Sequence, residues 1–267
     1  PTTEYSTSVS IATEGTSYIR YYSTDNATNN ETVNSATIQI DTVDPAILIE
    51  SPENDTTTND DLVNITFNVT DALSTTLNCS LYIDGTINQT NSSVANATTT
   101  QFNISSFAEG THTWYIQCKD AANNTNNTET RTILTDRTAP TTTNNAPGVW
   151  TPNNVSITLT ASDVNGALTV SGVNKTYYCN DTTNTCNPTT EYTVPINFSS
   201  EGINYLRYYS SDNATNNETI NSINISIDRT VPATLIEGPA NNTKTNNNPV
   251  NITFNVTDAL STTLNCS

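Results

Sequence analysis

Residues 63–71 read VNITFNVTD. Val63, Ile65, Phe67 and Val69 alternate with Asn64, Thr66, Asn68 and Thr70. A period of two marks a β-strand with one face in a core and the other in water. The polar face is unusual in content, because it spells two N-x-T glycosylation sequons in succession. Residues 250–267 then repeat residues 63–80 without a single change. The strand predicts a half-buried sheet, and its copy predicts a repeat.

Other copies keep the same register. PTTEY (1–5) recurs at 188–192, and EGTSYIRYYSTDNATNNET (14–32) recurs as EGINYLRYYSSDNATNNET (201–219), both at an offset of 187. One register for every overlap is a tandem period. A half-period lies inside it. Glu-Gly pairs stand at 14–15, 109–110 and 201–202, each followed by an alternating strand and then by Asp25, Asp120 or Asp212 at an Asn-rich turn. Proline-bearing junctions recur as DTVDP (41–45), DRTAP (136–140) and DRTVP (228–232). Proline fixes the backbone and removes a donor, which suits the end of a module's last strand. The expected modules are a complete type B module at 45–139 and a complete type A module at 140–231. Residues 1–44 are expected to be the C-terminal part of a type A module, and 232–267 the N-terminal part of a type B module.

All local signals are β. Candidate strands lie near 46–50, 63–71, 76–84, 99–105, 111–119 and 130–136, then 154–162, 174–180, 191–198, 203–210 and 221–228, separated by Gly, Asn, Asp and Ser clusters. Short alternating strands in modules of this size indicate an all-β chain of antiparallel β-sandwiches.

Composition narrows the function classes. Eight Lys and Arg stand against 26 Asp and Glu, a net charge of −18, yet charged residues are only 13% of the chain. With no basic stripe to displace counterions, nucleic acid is not an expected partner. No apolar run approaches the roughly 18 residues that span a bilayer. Surface polarity falls to Asn and Thr.

The succession SPENDTTTNDDLVNITFNVTD, NCSLYIDG, EGTHTWYIQCKDAANN and a D-x-T-x-P junction resembles the immunoglobulin-like modules strung in tandem in large archaeal and bacterial surface proteins. VWTPNNVSITLTASD, SGVNKTYY and EGINYLRYYSSDNATNNE resemble a related bacterial immunoglobulin-like repeat. The resemblance covers the whole chain and implies a fold more than an activity. Members usually carry Gly-Asn in the turn after the penultimate strand, where this chain has Asn29-Asn30, Asn123-Asn124 and Asn216-Asn217.

Five cysteines are reconciled by the period. Cys266 is the copy of Cys79, and the copy of Cys118 would fall beyond residue 267. The pairs Cys79–Cys118 and Cys179–Cys186 are expected, in an oxidising extracellular setting. Neither a CxxC pair nor an accompanying His supports zinc.

Forty-one Asn and 78 Ser plus Thr would give roughly 12 sequons by chance, and the sequence has 23. The acceptors are Asn26, Asn30, Asn54, Asn64, Asn68, Asn78, Asn88, Asn91, Asn96, Asn103, Asn123 and Asn126, then Asn154, Asn174, Asn180, Asn197, Asn213, Asn217, Asn224, Asn241, Asn251, Asn255 and Asn265. On a strand, Asn at i and Thr at i+2 share a face while the residue between them enters the core. Glycans there would project outward and block sheet-to-sheet association. The plainer reading is that Asn and Thr simply solvate strands and turns.

Catalytic signals are missing. His112 is the only histidine and has no nucleophile–base constellation around it, and Asp60-Asp61 reads as a solvated turn. Asp25, Asp120 and Asp212, near Asp41, Asp136 and Asp228, could offer oxygen to calcium. Without a D-x-D-x-D cluster they are better read as Asx-turn caps, so no metal or cofactor is expected beyond N-linked glycans. Tyr205, Arg207 and Tyr209, copied as Tyr18, Arg20 and Tyr22, form a stripe on an outward face, read first as cross-strand bracing.

The sequence thus points to a non-enzymatic, glycosylated cell-surface fibre, a window onto a longer array continuing covalently at both ends, with lateral self-association open. The alternative is an adhesin whose modules act as stalk or carbohydrate-binding units, with surface glycans or other cells as partners. A third is an accessory region of a polysaccharide-degrading enzyme.

Overall fold

The computed structural model describes residues 1–105 and 107–260. Asn265 and Cys266 lie outside the described residues. Two compact units divide the chain, Pro1–Asp136 and Arg137 onward.

In the first unit a hairpin comes first, β1 (Gly15–Tyr21) with β2 (Asn34–Ile40). A sandwich follows, made of β3 (Ala46–Ser51), β4 (Thr56–Thr58), β5 (Leu62–Thr70), β6 (Thr76–Ile83), β7 (Thr86–Ala95), β8 (Thr100–Ser105), β9 (Gly110–Lys119), β10 (Thr125–Asn127) and β11 (Arg131–Thr135). One sheet has the order β3-β5-β8, the other β4-β11-β9-β6-β7, with β10 on β9. Every pairing is antiparallel except β11 with β4. The alternation of β5 is realised: Ile65, Phe67 and Val69 are fully buried and Asn64 is exposed. They pack with Leu77, Leu81, Trp114, Ile116 and Ile133 of the opposite sheet and stack Phe67 on Phe102.

Cys79 and Cys118 are register partners on neighbouring strands β6 and β9, both fully buried, and they are disulfide-bonded. The bond therefore lies within one sheet rather than between the two. The β6–β7 turn places Asp84 and Gly85 both at positive φ, the backbone of a two-residue hairpin of type I′ character.

In the second unit the strands are β12 (Thr141–Asn144), β13 (Val155–Ile157), β14 (Leu159–Ser162), β15 (Val173–Asp181), β16 (Thr190–Glu191), β17 (Ile196–Phe198), β18 (Gly202–Asp212), β19 (Asn221–Ile227), β20 (Ala233–Gly238) and β21 (Thr253–Thr257). The main sheet has the order β16-β15-β18-β19, and β12-β14 and β13-β17 are pairs. Ile157, Leu159, Phe198, Leu206, Tyr208, Ile225 and Ile227 form the core. β20 and β21 make a separate hairpin. On the two hairpins, residues one period away from buried ones are exposed: Ile38 against Ile225, Phe254 against Phe67.

The structure departs from the expected strands at several points. Residues 154–162 split at Thr158 into β13 and β14, which pair with different partners. The expected strand 191–198 is interrupted, as befits a segment containing Pro195. β7 was not expected, because among its ten residues only Val94 is buried. The Asn-Asn turns also shift. The left-handed residue is Thr28, Asn123 or Thr215, at φ of 69°, 77° and 72°. Only Asn123-Asn124 therefore occupies the Gly-Asn place. Elsewhere a β-branched threonine takes it, at a cost of about 1 kcal/mol or more.

Removing Cys79–Cys118, which closes 39 residues, should cost about 4 kcal/mol, and removing Cys179–Cys186 about 2.5 kcal/mol. Urea unfolding of the paired Cys→Ala variants measures both; equal losses, or the reverse order, would contradict the ranking.

Candidate functional site

The surface feature the sequence singled out is the set of sequons, and the fold distributes them by strand position. All the described sequon asparagines are exposed except Asn68, Asn96 and Asn126, which are half-buried. Sheet edges are well supplied. The edge strands β7, β8, β17 and β19 carry exposed Asn88 and Asn91, Asn103, Asn197, and Asn224 respectively. An edge strand offers unpaired backbone groups to any passing strand, and bulky polar chains on it discourage such pairing. On the outer face of the β3-β5-β8 sheet, Asn64 and Asn103 are register partners. Leu48 and Leu62, 65% and 52% exposed, lie on the same outward face, Leu48 opposite Asn68 and Leu62 opposite Ser105.

The Asp turns close on themselves. Asp120 Oδ1 accepts the Asn124 backbone N–H at 2.8 Å while Oδ2 accepts the Asn124 amide at 2.7 Å. Asp212 does the same with Asn216, and Asp25 with Asn29. The Asn29 amide holds the Asp25 carboxyl below the usual carboxylate range. These bonds fix the left-handed residue that precedes each Asn.

Junctions are clamped from both sides. Glu14 accepts the backbone N–H and hydroxyl of Thr42, and Glu201, one period on, accepts the Arg229 N–H and the Thr230 hydroxyl. In the first unit Asn124 and Asn126 donate to the Asp41 and Pro45 carbonyls, and the Thr125 N–H donates to Asp44. Here Asp41, Asp71 and Asp120 bring carboxylate oxygens within 4.8 Å of one another. Burial, with the nearby charges of Asp71, Asp120 and Glu14, pushes the Asp41 carboxyl up. Oxygen sets of this kind suit a hard cation. Each carboxylate also accepts backbone N–H groups, Asp41 from Val43, Asp71 from Leu73 and Ser74, Asp120 from Asn124. The sequence points to Asp41 and Asp120; Asp71, the residue just after β5, was missed because only the fold brings it to the junction.

The remaining candidates are structural in geometry. His112 Nδ1 lies 2.6 Å from Asp84 Oδ2 and Nε2 3.1 Å from the Ala108 carbonyl, tying β9 to the β6–β7 turn. Burial raises the Asp84 carboxyl, but its bonds to His112 and Thr113 outweigh that and hold it below its ordinary value. The stripe is half-buried: Tyr209 stacks on Tyr177 at 5.4 Å, and Arg207 donates to the Asn184 carbonyl at 3.0 Å. Asp181 gathers the N–H groups of Asn184, Thr185 and Cys186, and the Cys179–Cys186 bond closes the same loop. No helix among the described residues is long and apolar enough to cross a membrane.

Residues 96–169 match the bacterial Ig-like domain (group 3). No curated protein sequence matches the chain. Among solved structures, fibronectin(III)-like modules of CbhA from Clostridium thermocellum share 15% identity at a TM-score of 0.37, over 68% of this chain and 94% of theirs. The FN1–FN3 domains of chicken CNTN1 share 8% at 0.30, over 78% and 77%. The BSP domain of a biofilm-associated protein shares 16% at 0.26, over 69% and 30%. The described residues form strands and no helix around two buried cores, so the chain is an all-β, sandwich-type protein that is similar over residues 96–169 to a bacterial Ig-like domain.

Proposed function

We propose that this chain is a structural, N-glycosylated segment of an extracellular fibre, with repeated immunoglobulin-like modules as its length-giving unit. Immunoglobulin-like modules with disulfides are typical of extracellular and secreted proteins. The observation that carries the finer reading is the unchanged copy of the strand that buries Val63, Ile65, Phe67 and Val69 and turns Asn64 outward. Selection for a binding surface diversifies loops, whereas selection for length copies whole modules. Exposed sequons on edge strands supply what a chain with few charges lacks, a thick hydrated layer against lateral sheet pairing. The stripe of Tyr205, Arg207 and Tyr209 serves this reading as an internal brace.

Peptide mapping of native material should find sugar on Asn64, Asn68, Asn251 and Asn255; all four bare would remove the glycan coat from the proposal. Strands of β9's length rise about 33 Å, so a module with its junction spans about 40 Å and a period of two modules about 80 Å. Electron micrographs of native filaments should show that axial repeat, and globules without one would contradict a fibre.

A further inference from the structure

Resting on the glycan-coat reading above, we infer that the sequons divide into two kinds, amide staples at Asn96 and Asn213 and a paired acceptor at Asn64 and Asn103. N-glycosylation replaces one amide hydrogen. The Nδ2 atom attacks C1 of a sugar held as a lipid-linked glycosyl phosphate, the C1–O bond to phosphate breaks, and the amide proton passes to a base. An amide whose two hydrogens are both bound in the fold has none to give.

Asn96 is in that position. Its Nδ2 donates to the carbonyls of Asp71 at 2.6 Å and Ser74 at 2.8 Å, and its Oδ1 accepts the Asp71 N–H at 3.0 Å. One side chain thereby ties the end of β7 to the turn between β5 and β6. Asn213 likewise donates to the carbonyls of Ser171 at 2.8 Å and Gly172 at 3.2 Å. Both tripeptides also contain a left-handed residue, Ala97 at 56° and Thr215 at 72°, so neither is extended as folded.

Asn64 and Asn103 are the opposite case. Both are exposed, both lie in extended strand, and neither amide nitrogen is engaged by any described residue. As register partners on β5 and β8, their side chains leave one face about 5 Å apart. Two glycans rooted there would stand beside Leu62 and along the edge strand β8, whose Asn103 carbonyl accepts the Gln89 amide at 2.6 Å.

Two arms test this. The full chain, made in a host without N-glycosylation, is compared by thermal unfolding with Asn96→Ala, Thr98→Ala and Asn64→Gln/Asn103→Gln. Asn96→Ala should lower the first unit's midpoint, whereas Thr98→Ala, which destroys the sequon but spares the amide, and the double Gln variant should leave it unchanged. An unchanged midpoint in Asn96→Ala overturns the staple. The wild-type chain is then secreted from a host with a sequon-directed oligosaccharyltransferase, and the folded fraction is mapped. Asn64 and Asn103 should carry sugar on the same molecules, with occupancy at Asn96 and Asn213 lower by about tenfold or more, as the loss of such bonds implies. Equal occupancy at all four, or Asn64 and Asn103 bare while other sites are filled, overturns the division. Native material bare at every asparagine would instead remove the coat reading, and the recombinant arms would still decide the division.

Discussion

A β-strand cannot choose which face a side chain takes, because the pleat assigns faces alternately. That constraint couples the two halves of this molecule's chemistry. Wherever Ile65 or Phe67 is driven into the core, Asn64 and Thr66 are carried outward, and the spacing that makes a sandwich also makes a sequon. A one-residue slip would bury amides and expose Phe67 in the same step, so the register is held by both faces at once. The fully buried Cys79–Cys118 bond holds it further, since it joins residues already opposite each other on β6 and β9.

The fold was legible wherever a strand had one wet and one dry face. β5, β6, β8, β9 and β18 were anticipated for that reason. β7 was not, since a strand with almost no buried side chain carries no period to read and owes its place to pairing with β6. The breaks at Thr158 and after Glu191 come from partners changing along a segment, which alternation does not encode. The disulfide pairs followed from the repeat register. The junction cluster did not, because Asp41, Asp71 and Asp120 are brought together only by tertiary structure.

Turn chemistry shows a local conflict resolved by neighbours. Thr28 and Thr215 sit where glycine would be free of strain, and the Asp–Asn pair around each position offsets the cost with two charge-assisted hydrogen bonds. The same economy recurs at the junctions, where Glu14 and Glu201 hold the segment leaving each terminal strand. Amides and carboxylates at these points hold particular backbone groups of the junctions instead of simply facing water.

In the fibre proposed above, the placement of Cys79–Cys118 within a sheet would have a mechanical meaning. Were a module pulled open, the 39-residue span between the two sulfurs would stay locked, withholding about 130 Å of contour that a reduced module would release. Each such module would yield as a short, stiff link and recoil from a small extension, and the redox state of its surroundings would set how far the chain can stretch before it breaks.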